Sequence, residues 1–217
     1  MNPESPFQNP PLKPAGWYKR LFARALANSG RRYDATAAGR KQRLFGGLSG
    51  TILEIGPGGG PNLAYYAPGI HWVGVETNPA MLPYLQQEAR RLGMPIEVRD
   101  GGPEILPADS ASVDAVVSTL VLCSVPDQAK TLQEILRVLK PGGTFAFIEH
   151  VAAPRGSGLR RSQNLIRPLW QVLGDGCQIN RETWVAIQQA GFSQVQIEHF
   201  REQVPFVSPH IAGVAVK

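Results

Sequence analysis

Ile52-Leu53-Glu54-Ile55 runs as an apolar strand straight into Gly56-Pro57-Gly58-Gly59-Gly60. A buried strand that stops at a glycine cluster leaves few architectures open. Glycine turns the backbone sharply and leaves room for a ligand along the main chain. Twenty-two residues beyond Glu54, a second apolar stretch from Ile70 to Val75 ends on Glu76. An acid there suits a ribose, because one carboxylate accepts both hydroxyls. The two strand ends together predict a site for an adenosine-containing cofactor.

The dinucleotide fingerprint G-x-G-x-x-G needs Gly or Ala at position 61, where this chain has Pro61. That argues against a pyrophosphate seated on a helix N-terminus, as in NAD sites. No G-K-[ST] sequence for a nucleoside triphosphate follows either. The pattern Glu-x-Gly-x-Gly-x-Gly at 54–60 resembles the first motif of class I S-adenosylmethionine-dependent methyltransferases. The resemblance implies that the glycine loop lies along the methionine part of that cofactor and that Glu76 binds the ribose.

Alternating strand and helix patterns predict a doubly wound, mostly parallel α/β sheet. A first helix is expected from Pro61 to Tyr66. Thr77 or Asn78 caps the next, with Pro79 in its first turn. Strands follow at 95–99 and 113–119, a helix opens at Asp127, and Lys140-Pro141-Gly142-Gly143 stops it before a strand at 144–150. Helices at 159–172 and 181–190 precede an antiparallel pair, 194–200 and 210–216, for seven strands in all. The organisation read from this is a disordered lead-in over 1–14, a basic helical cap over 15–47, and one cofactor-binding domain over 48–217.

Further motifs carry the resemblance. Asp100-Gly101 follows the third strand, where related methyltransferases place an acid that accepts from the adenine amino group. Leu106 to Asp114 and Arg137 to Gly143 match the segments leading into the family's fourth and fifth strands. The segments Ser118 to Val125, Glu149 to Ala153, Asp175-Gly176-Cys177, Arg181 to Trp184 and Pro209 to Lys217 resemble the membrane-associated alkyl thiol methyltransferases of the methyltransferase-like group. This likeness covers roughly 41–217. It implies methylation of small lipophilic thiols, with S-adenosylmethionine as donor. It also implies cofactor contacts from Glu54, Gly56, Pro57, Gly58, Gly60 and Asn62 around the first turn. Others are Glu76, Thr77, Asn78 and Met81 after the second strand, Asp100 and Gly101 after the third, and Thr119 and Leu120 after the fourth.

Charge is uneven. Residues 1–50 carry nine Lys/Arg against two acids, and the remainder thirteen against fifteen. Within the basic part, Trp17, Leu21 and Ala25 share a helical stripe, with Phe22 and Leu26 beside it. Such a helix either buries the stripe as a cap over the cleft or lies on an anionic membrane, giving peripheral contact through 16–45. That family begins with a hydrophobic anchor, which the basic segment here does not match. No aromatic-and-basic platform for nucleic acid follows. Two cysteines, Cys123 and Cys177, have no metal-ligand spacing and form no disulfide framework, which favours a reducing, cytoplasmic setting.

Methyl transfer from a sulfonium is an in-line displacement and demands no metal, but a thiol acceptor must lose its proton. His150 and Asp175 are the candidate catalytic bases; His210, beginning the last strand, reads as structural. Leu120, Val121, Trp170 and Phe206 suit an apolar acceptor pocket. No [DN]-P-P-[YF] motif for a planar amino group is present. A thiol, hydroxyl, enolic carbon or lipid headgroup is the expected acceptor. Quinone C- or O-methylation, phospholipid N-methylation and cofactor binding without turnover remain the alternatives.

Overall fold

The computed structural model describes residues 15–217, with residues 27–35 described by backbone alone. The lead-in expected over 1–14 lies outside the described residues. A long helix α1 (Trp17–Phe45) precedes β1 (Thr51–Ile55), β2 (His71–Val75), α2 (Leu82–Leu92), β3 (Glu97–Arg99), β4 (Val113–Thr119) and α3 (Gln128–Val138). Then come β5 (Leu139–His150), α4 (Gly158–Leu173), α5 (Thr183–Gln189), β6 (Gln194–Arg201) and β7 (Pro209–Val216). The sheet order is β3-β2-β1-β4-β5-β7-β6. β3 to β5 run parallel, and β7 enters antiparallel between β5 and β6.

Strands β1, β2 and β4 are nearly continuous apolar runs because helices and loops cover both faces of the sheet. One core layer gathers Leu53, Val116, Leu132, Ile135, Phe145 and Ile187. The other gathers Phe45, Ile52, Trp72, Leu85, Val117 and Ile148. All parallel strands therefore present their C-terminal ends, and the residues that follow them, along one rim. Ligands of open α/β sheets bind at that rim.

Three local expectations are corrected. The helix expected at Pro61 to Tyr66 is a single 3-10 turn, Leu63–Tyr65. Pro68 disfavours helix at Ala67, and Tyr66 turns extended to send its hydroxyl to Glu54. The fifth strand starts earlier than Thr144, at Leu139. Its Pro-Gly-Gly stretch is absorbed as a bulge, since Val113 pairs with Leu139 but Ala115 pairs with Thr144.

The third correction concerns α1. Trp17 and Leu21 are 78% and 60% exposed, while Ala23, Ala37, Lys41 and Phe45 are buried. Of the two alternatives for the stripe, burial over the cleft is thus the one corrected, and the stripe faces out. The helix docks instead through Tyr18, whose hydroxyl donates to the Val172 carbonyl (2.6 Å), and through Arg40, paired with Glu198 and stacked 3.8 Å over Phe200.

Candidate active site

The glycine turn extends the sheet before leaving it. Gly56 N donates to Val75 O (2.9 Å), continuing the β1–β2 ladder, and Gly60 N closes onto Pro57 O (2.9 Å). Gly56 has φ +61°, and a Cβ there would stand 2.7 Å from Val121. Gly58 differs. At φ +56° its missing Cβ would meet nothing nearer than Met81 at 3.9 Å, so the main chain lies open to a ligand.

Glu76 sits at the end of β2, 8% exposed. Its Oε2 accepts from Gly58 N (2.9 Å) and its Oε1 from Asn78 N (2.7 Å). Burial raises its pKa above the ordinary carboxylate range, against the pull of these two amides. Each oxygen keeps a lone pair, which is what a vicinal diol requires. Asn78 also caps the turn over Pro79–Met81 and donates to Lys19 O (3.2 Å), while Lys19 Nζ reaches Thr77 O (3.4 Å). α1 therefore closes over the β2 end. Asp100 and Gly101 stand exposed at the neighbouring β3 end.

Glu54 lies beneath this surface. It is 1% exposed, and its carboxylate accepts from Trp72 Nε1 (2.9 Å), Tyr66 Oη (2.7 Å) and Asn62 Nδ2 (2.8 Å). Burial raises its pKa too, against those three donors. Its route to a ligand runs through Asn62, whose Nδ2 also donates to Thr119 Oγ1 (3.0 Å). That leaves the buried Asn62 Oδ1 without a partner. An unpaired buried acceptor costs about 1–3 kcal/mol. The ammonium of a methionine-like moiety would satisfy it. The donor set thus fits S-adenosylmethionine: a diol acceptor at Glu76, an open glycine backbone, and an ammonium acceptor at Asn62.

β4 ends in strain. Leu120 adopts φ +58°, a left-handed conformation costly for a side chain of its size. Glu149 holds it there: its Oε1 accepts from Ser118 Oγ (2.6 Å) and Val121 N (3.1 Å). Glu149 is fully buried, its pKa is raised by that burial, and its Oε2 has no partner. In the sequence Glu149 stands only as part of a family-like segment, and its hold on the β4 end is made by the fold.

His150 is buried, with Nε2 3.0 Å from Cys177 Sγ and with Nδ1 unpartnered. Cys123, His150 and Cys177 offer ligand atoms that all lie within 4.8 Å of one another. The sequence spacing shows no metal-ligand pattern, yet the fold joins residues 27 apart on either side of His150. Asp175 occupies a left-handed turn at φ +49°, and its N donates to Tyr18 Oη (3.3 Å). Trp170 lines the cysteine cluster, and Phe206 is 41% exposed.

Residues 53–147 match the family described as a methyltransferase domain. The human thiol S-methyltransferase TMT1A is 38% identical over 85% of this chain and 81% of its own length. The rat thiol S-methyltransferase TMT1B is 38% identical over 93% of this chain and 86% of its own. Among solved structures, a SAM-dependent methyltransferase from Aquifex aeolicus superposes with a TM-score of 0.63 at 18% identity, covering 91% of this chain and 97% of that one. The [4+2]-cyclase SpnF superposes at 0.67 with 16% identity, over 94% and 97%. At that identity these two show the fold alone, and the cyclase illustrates that the fold does not fix the chemistry. The longer and closer match decides the family: this chain belongs with the thiol S-methyltransferases TMT1A and TMT1B, a methyltransferase on the class I S-adenosylmethionine fold.

Proposed function

We propose that this protein transfers a methyl group from S-adenosylmethionine to the sulfur of a small lipophilic thiol. One observation carries the choice of acceptor: the rim beyond β4 and β5 holds a cluster of two thiols and an imidazole, buried among Ile166, Trp170, Ile179 and Val207. It lies against the strained β4 end, with Cys123 Sγ 3.5 Å from Leu120 O. The relatives named as thiol S-methyltransferases support the same acceptor.

Bound S-adenosylmethionine supplies an activated methyl group. The chain must orient that methyl, exclude water and remove the acceptor's proton. Glu76, Gly58 and Asn62 serve orientation. The apolar wall excludes water, which strengthens every electrostatic interaction inside. The Cys123–His150–Cys177 cluster is where the acceptor sulfur would be activated, and activation is needed because a thiol of pKa ~8.5 is mostly protonated at neutral pH. Asp175 acts as the turn that holds Cys177 in place, tied through its amide to Tyr18.

Lipophilic acceptors partition into membranes, and the protein carries a surface suited to meet them there. Trp17 and Leu21 on α1 and Leu165, Leu169, Val172 and Leu173 on α4 are all more than half exposed. The Tyr18–Val172 hydrogen bond joins the two helices within these stripes. Arg20, Arg24, Arg161 and Arg167 flank them and are exposed. Apolar side chains rimmed by arginine fit an anionic bilayer surface. Among the described residues no helix is long and apolar enough to cross a membrane.

The experiment is transfer of labelled methyl to alkyl and aryl thiols, quinols, phenols and phosphatidylethanolamine. Labelled thioether supports the reading. Label on a quinol or lipid alone replaces the acceptor, and cofactor binding without transfer to any acceptor overturns the enzyme reading.

A further inference from the structure

We propose that Cys123, His150 and Cys177 form a three-ligand site for a zinc-like thiophilic cation, with the fourth position left for the acceptor thiolate. The second half of this proposal rests on the thiol-methylating reading above; the first does not.

The ligand set is S₂N. Two thiolates and one imidazole select zinc or copper(I) over magnesium or calcium, which take oxygen ligands. Three protein ligands with one open place are the pattern of zinc centres that bind a substrate, whereas closed structural centres use four. All three residues are buried, at 2%, 6% and 8% exposure, and their ligand atoms lie within 4.8 Å of one another. Zinc bonds of about 2.0–2.3 Å place tetrahedral ligands well inside that spread, so small side-chain movements close the site.

A further observation points the same way. Donors converge on one sulfur: Trp170 Nε1 donates to Cys177 Sγ (3.3 Å), and His150 Nε2 lies 3.0 Å from it. A neutral thiol is a weak acceptor, whereas a thiolate suits two such neighbours. A cation placed on Nε2 takes the position of the proton that otherwise joins imidazole to sulfur.

The framework is rigid. Arg181 Nη1 donates to Leu122 O (3.0 Å) and Val125 O (2.5 Å), and Gln178 N donates to Cys123 O (2.9 Å). The two cysteine-bearing segments are thereby fastened to each other beside the β5 end.

The chemistry balances. Binding the cation releases the two cysteine thiol protons to solvent. An acceptor thiol entering the fourth position passes its proton to solvent and remains as a coordinated thiolate. Its sulfur forms the new S–CH₃ bond as the sulfonium C–S bond breaks, and that electron pair stays on the departing thioether sulfur. The neutral methylated product is a poorer ligand and leaves.

The test titrates metal-free full-length protein with Co²⁺ in the absence of cofactor. The expected result is a near-ultraviolet sulfur-to-cobalt charge-transfer band saturating at one equivalent, bleached by one equivalent of Zn²⁺ and lost in Cys177→Ser and Cys123→Ser. Adding a small alkyl thiol should then strengthen the band. No band in the wild-type protein overturns the site, even where a variant fails to fold. A band unchanged by thiol overturns the fourth-position assignment. Thiol methylation at full rate by metal-free protein overturns the metal's role and leaves the proposed function standing. A band without thiol methylation keeps the site and removes the acceptor reading.

Discussion

The carboxylate of Glu76 accepts the backbone amide of Gly58 at 2.9 Å, so the C-terminal end of β2 and the glycine turn after β1 are one hydrogen-bonded unit. In the proposed reading the acid has two tasks. It would present oxygens to the ribose, and it fixes the open main chain of the glycine turn.

Glu76→Ala should therefore weaken cofactor binding by more than the loss of one contact. Hydrogen bonds to charged groups contribute about 1.5–3 kcal/mol, so a fall of roughly 10- to 150-fold is expected, with Glu76→Gln losing less. Calorimetry with S-adenosylhomocysteine reads it. Because burial raises the pKa of Glu76, affinity should decline as pH falls through its raised folded value. Equal affinity for wild type and Glu76→Ala would remove the assignment.

Trp72→Phe tests the layer beneath. The indole is 1% exposed and its N–H goes to Glu54. The substitution leaves a buried carboxylate oxygen with one donor fewer, a cost of about 1–3 kcal/mol. Urea denaturation should show a lower midpoint at unchanged slope. A stability equal to wild type would mean that Tyr66 and Asn62 suffice for Glu54.

His210 predicts an acid limb in stability. Burial lowers its pKa to about 4, against the Ser208 carbonyl 3.1 Å from Nδ1. The unfolded chain binds this proton near pH 6.5 and the folded chain only near 4, so the contribution is complete above 6.5 and is lost as pH falls towards 4. A gap of that size corresponds to on the order of 3 kcal/mol. His210→Gln should flatten that part of the stability–pH curve; an unchanged slope would assign the limb to another group.

Leu169→Glu combined with Leu173→Glu tests the α1–α4 surface. Both positions are more than 60% or at 60% exposure, so the fold should tolerate the charges. Cosedimentation with phosphatidylserine vesicles should fall sharply, while methylation of a water-soluble thiol should persist. Equal sedimentation of variant and wild type would sink the membrane surface.

Much of this was legible in the sequence, and the reasons are local. Glu54 to Gly60, Asp127 as a helix cap and the apolar run of Val113 to Thr119 state their conformations through residue type and spacing. The mostly parallel sheet and its closing antiparallel pair follow from the alternation of elements and the family likeness. Relations decided by three-dimensional packing were not legible. Nothing in the spacing of Cys123, His150 and Cys177 says that β5, the β4 end and the loop after α4 converge. Periodicity places Trp17 and Leu21 on one face of α1, but which face meets the body is chosen by Tyr18 reaching Val172 and by the small Ala23. The motif places Glu54 beside the glycines, but only the fold shows that Trp72, Tyr66 and Asn62 hold its carboxylate beneath the rim.

The first turn of α1 touches both halves of the rim. Tyr18 Oη meets Val172 O and Asp175 N at the end of α4, and Lys19 O meets Asn78 Nδ2 beyond β2. Lifting that turn breaks bonds on both sides at once. In the proposed reading, a ligand that holds the turn down from one side would settle the other, and linkage would make the effect mutual: whatever factor the donor adds to acceptor affinity, the acceptor returns to the donor.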